Sequence, residues 1–157
     1  MTASPLAQIL GRLPSGIFIL TLRHAEQETG MLASWVMQAG FDPPMVTVAV
    51  KHGRYVCDWL SEGKPFVLHV VGESQKSLLK HFAQGFEPGQ PAFEGLDTKE
   101  CSRGVPVLTA ALGYLECEPV GHTDSEDHRV FLGKVGQGSI TNLEKPMVHI
   151  RSSGGRY

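Results

Sequence analysis

Gly30-Met31-Leu32-Ala33-Ser34-Trp35-Val36-Met37-Gln38-Ala39-Gly40-Phe41-Asp42-Pro43-Pro44 is the stretch on which the fold turns. It is apolar but does not alternate cleanly, and Ala33, Ser34, Ala39 and Gly40 stand where a packed strand normally carries bulk. Small residues let another molecule approach the backbone, and free N–H groups at such places suit anions. They equally suit tight packing of a core strand against its neighbour. Both readings stand at this level: a strand from Gly30, stopped by Asp42-Pro43-Pro44, that either fills the core or offers an open edge.

Upstream, Ser4-Pro5 is a helix start, with Ser as N-cap and Pro at the first helical position. Leu6, Ile9, Leu10 and Leu13 form one apolar stripe, which predicts a short amphipathic helix ended by Pro14-Ser15-Gly16. Ile17 to Leu22 reads as a buried strand. The polar run Arg23 to Thr29 reads as a turn, so this strand and the one from Gly30 form a hairpin. Downstream, Met45 to Lys51 is a third strand, His52-Gly53-Arg54 a turn, and Tyr55 to Ser61 a helix closed by Gly63. Pro65 to Val71 is a fourth strand. Ser74 is expected to cap a helix through Phe82, with Leu78, Leu79 and Phe82 facing inward.

Glycines and prolines exclude regular structure for most of Gln84 to Gly104. A loop of that length is usually functional or mobile, and Phe86 and Phe93 either tie it down or cover a ligand. Pro106 to Pro119 reads as one long strand, Val120 to Asp127 as a turn, and His128 to Val135 as a strand. Gln137-Gly138-Ser139 reads as another turn, and Pro146 to Arg151 as a last short strand. About seven strands with two or three short helices predict a mainly β domain. The connections are too short for parallel crossovers, so pairing is antiparallel, and closure into a barrel would remove exposed edges.

A chain of 157 residues suits a single domain, residues 1–157, able to bury a sizeable core. A net charge of −2 leaves no basic footprint for nucleic acid or a charged membrane surface. No apolar run approaches a membrane span, and the N-terminus lacks a signal-peptide pattern. The three cysteines are far apart, with neither metal-ligand spacing nor a disulfide framework, which suits a reducing, cytoplasmic setting.

No Gly-x-Ser-x-Gly elbow or Walker loop is present. The seven histidines are not paired as on a metalloprotease helix, and no metal site is predicted. His24 and His52 fall in predicted turns. His69 lies within a strand and either satisfies a core polar group or reaches a pocket. Asp127-His128, taken on its residues alone, is a turn-capping Asp beside a surface His.

Several motifs follow one another in a telling order: Leu13 to Leu20 (LPSGIFIL), Gly30 to Trp35, Phe41 to Pro44, Phe66 to Val70, Lys80 to Ala83, and Asp127 to Val135. Their order and spacing resemble the flavin reductase-like family, the FMN-binding split barrels, over nearly the whole chain. The Met31 to Val36 variant together with Lys80-His81-Phe82 is similar in particular to the C-terminal flavin reductase domain of flavodiiron proteins from oxygenic phototrophs. In those proteins a diiron domain and a flavodoxin-like domain come first. With neither ahead of it here, the chain reads as a domain excised from a longer polypeptide.

The resemblance implies a closed antiparallel split barrel, a homodimer, FMN or FAD as bound cofactor, and NAD(P)H as electron donor. It further implies hydride transfer to the flavin and electron supply to diiron and flavodoxin-like partner domains for oxygen reduction. Carried over by motif, Leu32, Ala33, Ser34 and Trp35 line the isoalloxazine and ribityl chain, and Gln38, Ala39 and Gly40 lie near the phosphate. Lys51 and the turn after it (His52-Gly53-Arg54), His69, Lys80, His81 and Phe82 complete the flavin site. Asp127 and His128 flank the ring where the nicotinamide stacks, with His128 the candidate catalytic residue. Many family members carry serines at the positions of Gln38 and Gly40, and Asn at that of His69. Two other readings stay open: a flavin electron relay without its own NAD(P)H activity, and a non-enzymatic split barrel that binds haem or another tetrapyrrole or serves assembly.

Overall fold

Ser4 caps the first helix as its sequence predicts, its Oγ accepting the Ala7 N–H at 3.2 Å in this computed structural model, which describes residues 2–157. The elements in order are α1 (Pro5–Gly11), β1 (Ser15–Gly16), β2 (Phe18–His24), β3 (Gln27–Ala33), β4 (Val36–Phe41) and β5 (Pro44–Lys51). They continue with α2 (Tyr55–Ser61), β6 (Phe66–Val70), α3 (Lys76–Ala83), β7 (Thr98–Glu100), β8 (Pro106–Leu108), β9 (Gly113–Asp124), β10 (His128–Ile140) and β11 (Val148–His149). The molecule is mainly β. One antiparallel seven-stranded sheet has the order β3-β2-β6-β9-β10-β5-β4, and the pairs β1–β11 and β7–β8 flank it.

The quoted stretch is two strands, not one. β3 starts upstream at Gln27, ends at Ala33, and gives way at Ser34-Trp35 to β4. These two strands lie at opposite ends of the sheet order. Laid flat, seven strands at about 4.8 Å spacing would separate them by roughly 29 Å. The short link from Ala33 to Val36 reaches only about 10 Å. The sheet therefore curls until its two edges meet at Ser34-Trp35, which makes it a barrel in shape. No strand pairing joins β3 to β4 among the described residues, so the barrel is split along that seam. Leu20 and Leu22 of β2, Val46, Val48 and Val50 of β5, Phe66, Leu68 and Phe131 share one buried core inside the curl, closed by Val56, Trp59 and Leu60 of α2.

Several boundaries differ from the sequence reading because pairing outweighs local propensity. The turn expected over Arg23 to Thr29 shrinks to Ala25-Glu26, since β2 and β3 pair as far as His24 with Gln27. Pro106 to Pro119 divides into β8 and β9, bent where the Leu112 N–H donates to Val70 O at 3.1 Å. The turn expected over Val120 to Asp127 is confined to Ser125–Asp127, because Thr123 pairs with Val130 and His122 with Phe131. The turn expected at Gln137 to Ser139 is instead strand paired with β9 across a register shift. The apolar stripe of α1 is not buried: Leu6, Ile9 and Leu13 are exposed in the single chain.

α3 caps differently from expectation. Ser74 donates its hydroxyl to Glu144, and Gln75 takes the cap position. Gly30 lies in mid-strand because Phe82 of α3 packs on it; a Cβ there would stand 2.4 Å from Phe82 Cε1. In the long loop, Phe86 and Phe93 pack against the core formed by Ile19, Val71, Leu78 and Phe82, so they tie it down. Cys57 and Cys117 are buried and Cys101 is half-buried, all three free thiols. Burial pushes the Cys117 thiol up to about 12 and raises that of Cys57 as well. No described helix is long and apolar enough to cross a membrane.

Candidate functional site

A cleft of about 720 Å³ opens at the seam, within the range of small-molecule sites. Gly30 to Trp35 form one wall, Ala49 to Lys51 and Gly53 to Val56 the second, and Leu79, Phe82 and Gln84 to Glu87 the third. His149, Arg151 and Tyr157 border the mouth. β3 pairs only with β2, so alternate N–H and C=O groups of Met31 to Ala33 point away from that partner along a free edge. At the seam the Trp35 carbonyl accepts the Ala49 N–H at 3.0 Å, which fixes the indole beside the cleft.

Tyr55 braces the opposite wall. Its hydroxyl bonds Thr29 Oγ1 at 2.6 Å and Phe86 O at 2.5 Å, joining β3 to the loop after α3, and burial raises its pKa. Lys51, Arg54 and Arg151 all border the cleft, and none has a carboxylate within ion-pair distance among the described residues. Arg151 lies 5.2 Å from the Trp35 ring centroid and Arg54 5.8 Å from that of Tyr157, so aromatic faces hold both guanidiniums.

Of the residues expected in a flavin site, Leu32, Ala33, Ser34, Trp35, Lys51 and Phe82 come together around this cleft. Gln38, Ala39 and Gly40 do not: they lie on the exposed edge strand β4, outside it. Lys80 and His81 face away as well, His81 bonding the Ala92 carbonyl at 2.7 Å. The position of His69 is a correction. It is fully buried, with Nδ1 on Ile19 O and Nε2 on the Leu108 N–H, each at 2.9 Å, so it satisfies core backbone rather than a pocket. Burial lowers its pKa to about 4.

His128 is not a surface residue but only 7% exposed, its ring centroid 4.8 Å from that of Trp35 and tilted by 38°. Its Nδ1 bonds Asp127 Oδ1 at 2.8 Å and its Nε2 bonds the Tyr157 hydroxyl. The bond to His128 holds the exposed Asp127 carboxyl below its ordinary pKa. The sequence reading placed the turn after Lys51, which holds Arg54, at the site, and missed Tyr55, Arg151 and Tyr157. Tyr55 sat in a predicted helix, and the other two reach the cleft only through tertiary packing.

A split antiparallel barrel, with a half-open cleft at its seam, a free strand edge on one wall and unpaired cations around the mouth, is an arrangement whose chemistry suits a planar anionic ligand. The chain belongs to the flavin reductase like domain family, whose model matches residues 10–156. It is 39% identical over 156 residues to diflavin flavoprotein A 1 of Synechocystis sp. (strain ATCC 27184 / PCC 6803 / Kazusa), covering 98% of this chain and 27% of that protein. It is 38% identical over 157 residues to putative diflavin flavoprotein A 6 of Nostoc sp. (strain PCC 7120 / SAG 25.82 / UTEX 2576), covering 99% of this chain and 28% of the other. The chain thus spans little more than a quarter of the length of these relatives. Among solved structures, it is similar to an NADH:FAD oxidoreductase of Streptomyces globisporus C-1027 in complex with NAD and FAD fragments. That match has 25% identity and a TM-score of 0.82, covering 95% of this chain and 87% of that one. The styrene monooxygenase flavin reductase of Pseudomonas putida S12 matches with 25% identity and a TM-score of 0.80, covering 95% of this chain and 94% of that one.

Proposed function

We propose that the seam cleft binds FMN or FAD and that the chain is an NAD(P)H:flavin oxidoreductase domain. The observation that carries this reading is three cations without carboxylate partners around a cleft whose inner wall is small residues and free backbone edge. The fit is chemical. Met31 to Ala33 present backbone donors and acceptors suited to the polar edge of a pyrimidine-type ring, while Trp35 and Phe82 contribute apolar faces. Lys51 and Arg54 suit the phosphate, a role that their charge supports better than the uncharged Gln38 to Gly40 on β4 do. When bound, the flavin supplies the hydride-accepting chemistry, and the protein binds and orients it. Hydride transfer requires no protein acid or base at the reacting atoms, which accords with a cleft lacking a nucleophile–base pair. His128, oriented by Asp127, would contact the dinucleotide at the Trp35 wall.

The relatives' lengths and their names as diflavin flavoproteins support one domain of a longer polypeptide that passes electrons to partner redox domains. Diiron and flavodoxin-like partners, oxygen reduction and a cytoplasmic setting are what the family resemblance implies. Exposed Met37 and Phe41 on the free edge of β4 support a homodimer through that strand. The test is titration of the purified chain with FMN and FAD, with NADH and NADPH oxidation followed in parallel. Flavin bound at micromolar affinity and reduced by either nucleotide supports the reading. Flavin bound but never reduced makes the chain a relay, and a Soret band without flavin binding makes it a haem protein.

A further inference from the structure

Residues 151–157 cross the mouth of the cleft. The Arg151 N–H donates to Gly11 O at 3.0 Å and the Gly154 N–H to Ala7 O at 2.6 Å, so the segment is stitched to α1 as far as Gly154. The docking there is close: a Cβ on Gly154 would come within 2.1 Å of Leu10 Cβ. Gly155 follows at once and bonds only locally, to Ser153 Oγ. A fixed anchor and a glycine joint therefore precede Tyr157.

The Tyr157 ring sits between chemically distinct neighbours. Trp35 lies 5.2 Å away, tilted by 47°, and the Arg54 guanidinium lies 5.8 Å from its centroid. Its hydroxyl bonds His128 Nε2, and the two rings meet edge-on at 5.8 Å. A cation beside an indole, with a hydrogen-bonding imidazole at the edge, is a slot for a planar ring. Tyr157 fills it while remaining 56% exposed, whereas His128 beneath is covered. The Arg156 carbonyl accepts from Arg151 Nη1 at 3.1 Å, so the ring leaves at the cost of this exposed bond and the one to His128, without disturbing the core.

We propose that Tyr157 is a self-supplied occupant of this slot, and that a nicotinamide dinucleotide reaches His128 by displacing it. The inference rests on the flavin reductase reading above. The displaced state is the binding-competent one, so the apparent affinity for the dinucleotide is reduced by its fractional population. Removing the ring lifts that reduction; removing only the hydroxyl lifts part of it.

The experiment has two readouts. In the flavin-free chain, Tyr157→Ala should raise the rate of His128 modification by diethyl pyrocarbonate about 10-fold, followed by mass spectrometry of the His128 peptide. At saturating FMN, the same variant should lower KM for NAD(P)H about 10-fold, with Tyr157→Phe falling between. Equal protection of His128 in parent and variant would overturn the proposal, and so would a rise in KM, which would make Tyr157 part of the dinucleotide site. If neither protein binds FMN, the flavin reductase reading falls, while the modification rates still decide whether Tyr157 covers His128.

Discussion

His69 is a group through which acid should weaken this fold. Ile19 O can only accept a hydrogen bond, so Nδ1 carries the proton; the Leu108 N–H can only donate, so Nε2 must be bare. The neutral Nδ1–H tautomer is the one form that satisfies both partners, and a second proton would set N–H against N–H in a fully buried place. Burial accordingly lowers the pKa from 6.5 to about 4, and the bond to Ile19 offsets this in part. As pH falls, the unfolded chain takes up this proton first. The stabilisation is full above pH 6.5, is lost between pH 6.5 and about 4, and changes no further below that. At about 1.4 kcal/mol per pH unit, lowering the pH from about 7.5 to about 5 should remove about 2 kcal/mol. His69→Asn retains one donor and one acceptor but cannot titrate. The assay is urea unfolding of parent and variant at both pH values, with carboxylates and other histidines common to both. For a slope of about 2 kcal/mol/M, the parent midpoint should drop about 1 M further than that of the variant. Equal drops would refute the argument.

Gly30→Ala drives a Cβ into the Phe82 ring and should destabilise the chain by about 1–3 kcal/mol in urea unfolding, with Phe82→Leu in the same chain restoring part of the loss. Arg54→Ala should weaken FMN binding about 10-fold or more and riboflavin binding far less, measured by fluorescence titration, since a charge-assisted hydrogen bond contributes about 1.5–3 kcal/mol. Tyr55→Phe removes the bonds to Thr29 and Phe86 and should cost about 1–2 kcal/mol. Hydrogen exchange in the variant should quicken over residues 84–87, with little change in α2.

The elements that signal locally were legible in sequence. Ser4-Pro5 marked α1, Tyr55 to Ser61 matched α2, and the β-branched run before Lys51 marked β5. What escaped was set by distant partners. Ser34-Trp35 looks like mid-strand sequence and becomes a seam only because the sheet curls far enough for its ends to meet. Gly138 looks like a turn residue, yet its bare Cα admits Leu115, whose Cδ2 would stand 2.8 Å from a Cβ there. Trp35 and its neighbours were readable as cleft residues through the family motif. Arg151 and Tyr157 belong to no such motif, and only the tertiary path of the last segment brings them to Trp35.

The unequal burial of the three thiols has a practical use. Cys57 and Cys117 lie inside the barrel, where burial shields them from reagents and raises their pKa. A maleimide dye offered to the folded, unaltered chain should therefore attach at Cys101 alone, just beyond β7. The protein comes ready as a single-label fluorescent reporter, with no cysteine replaced and the seam untouched.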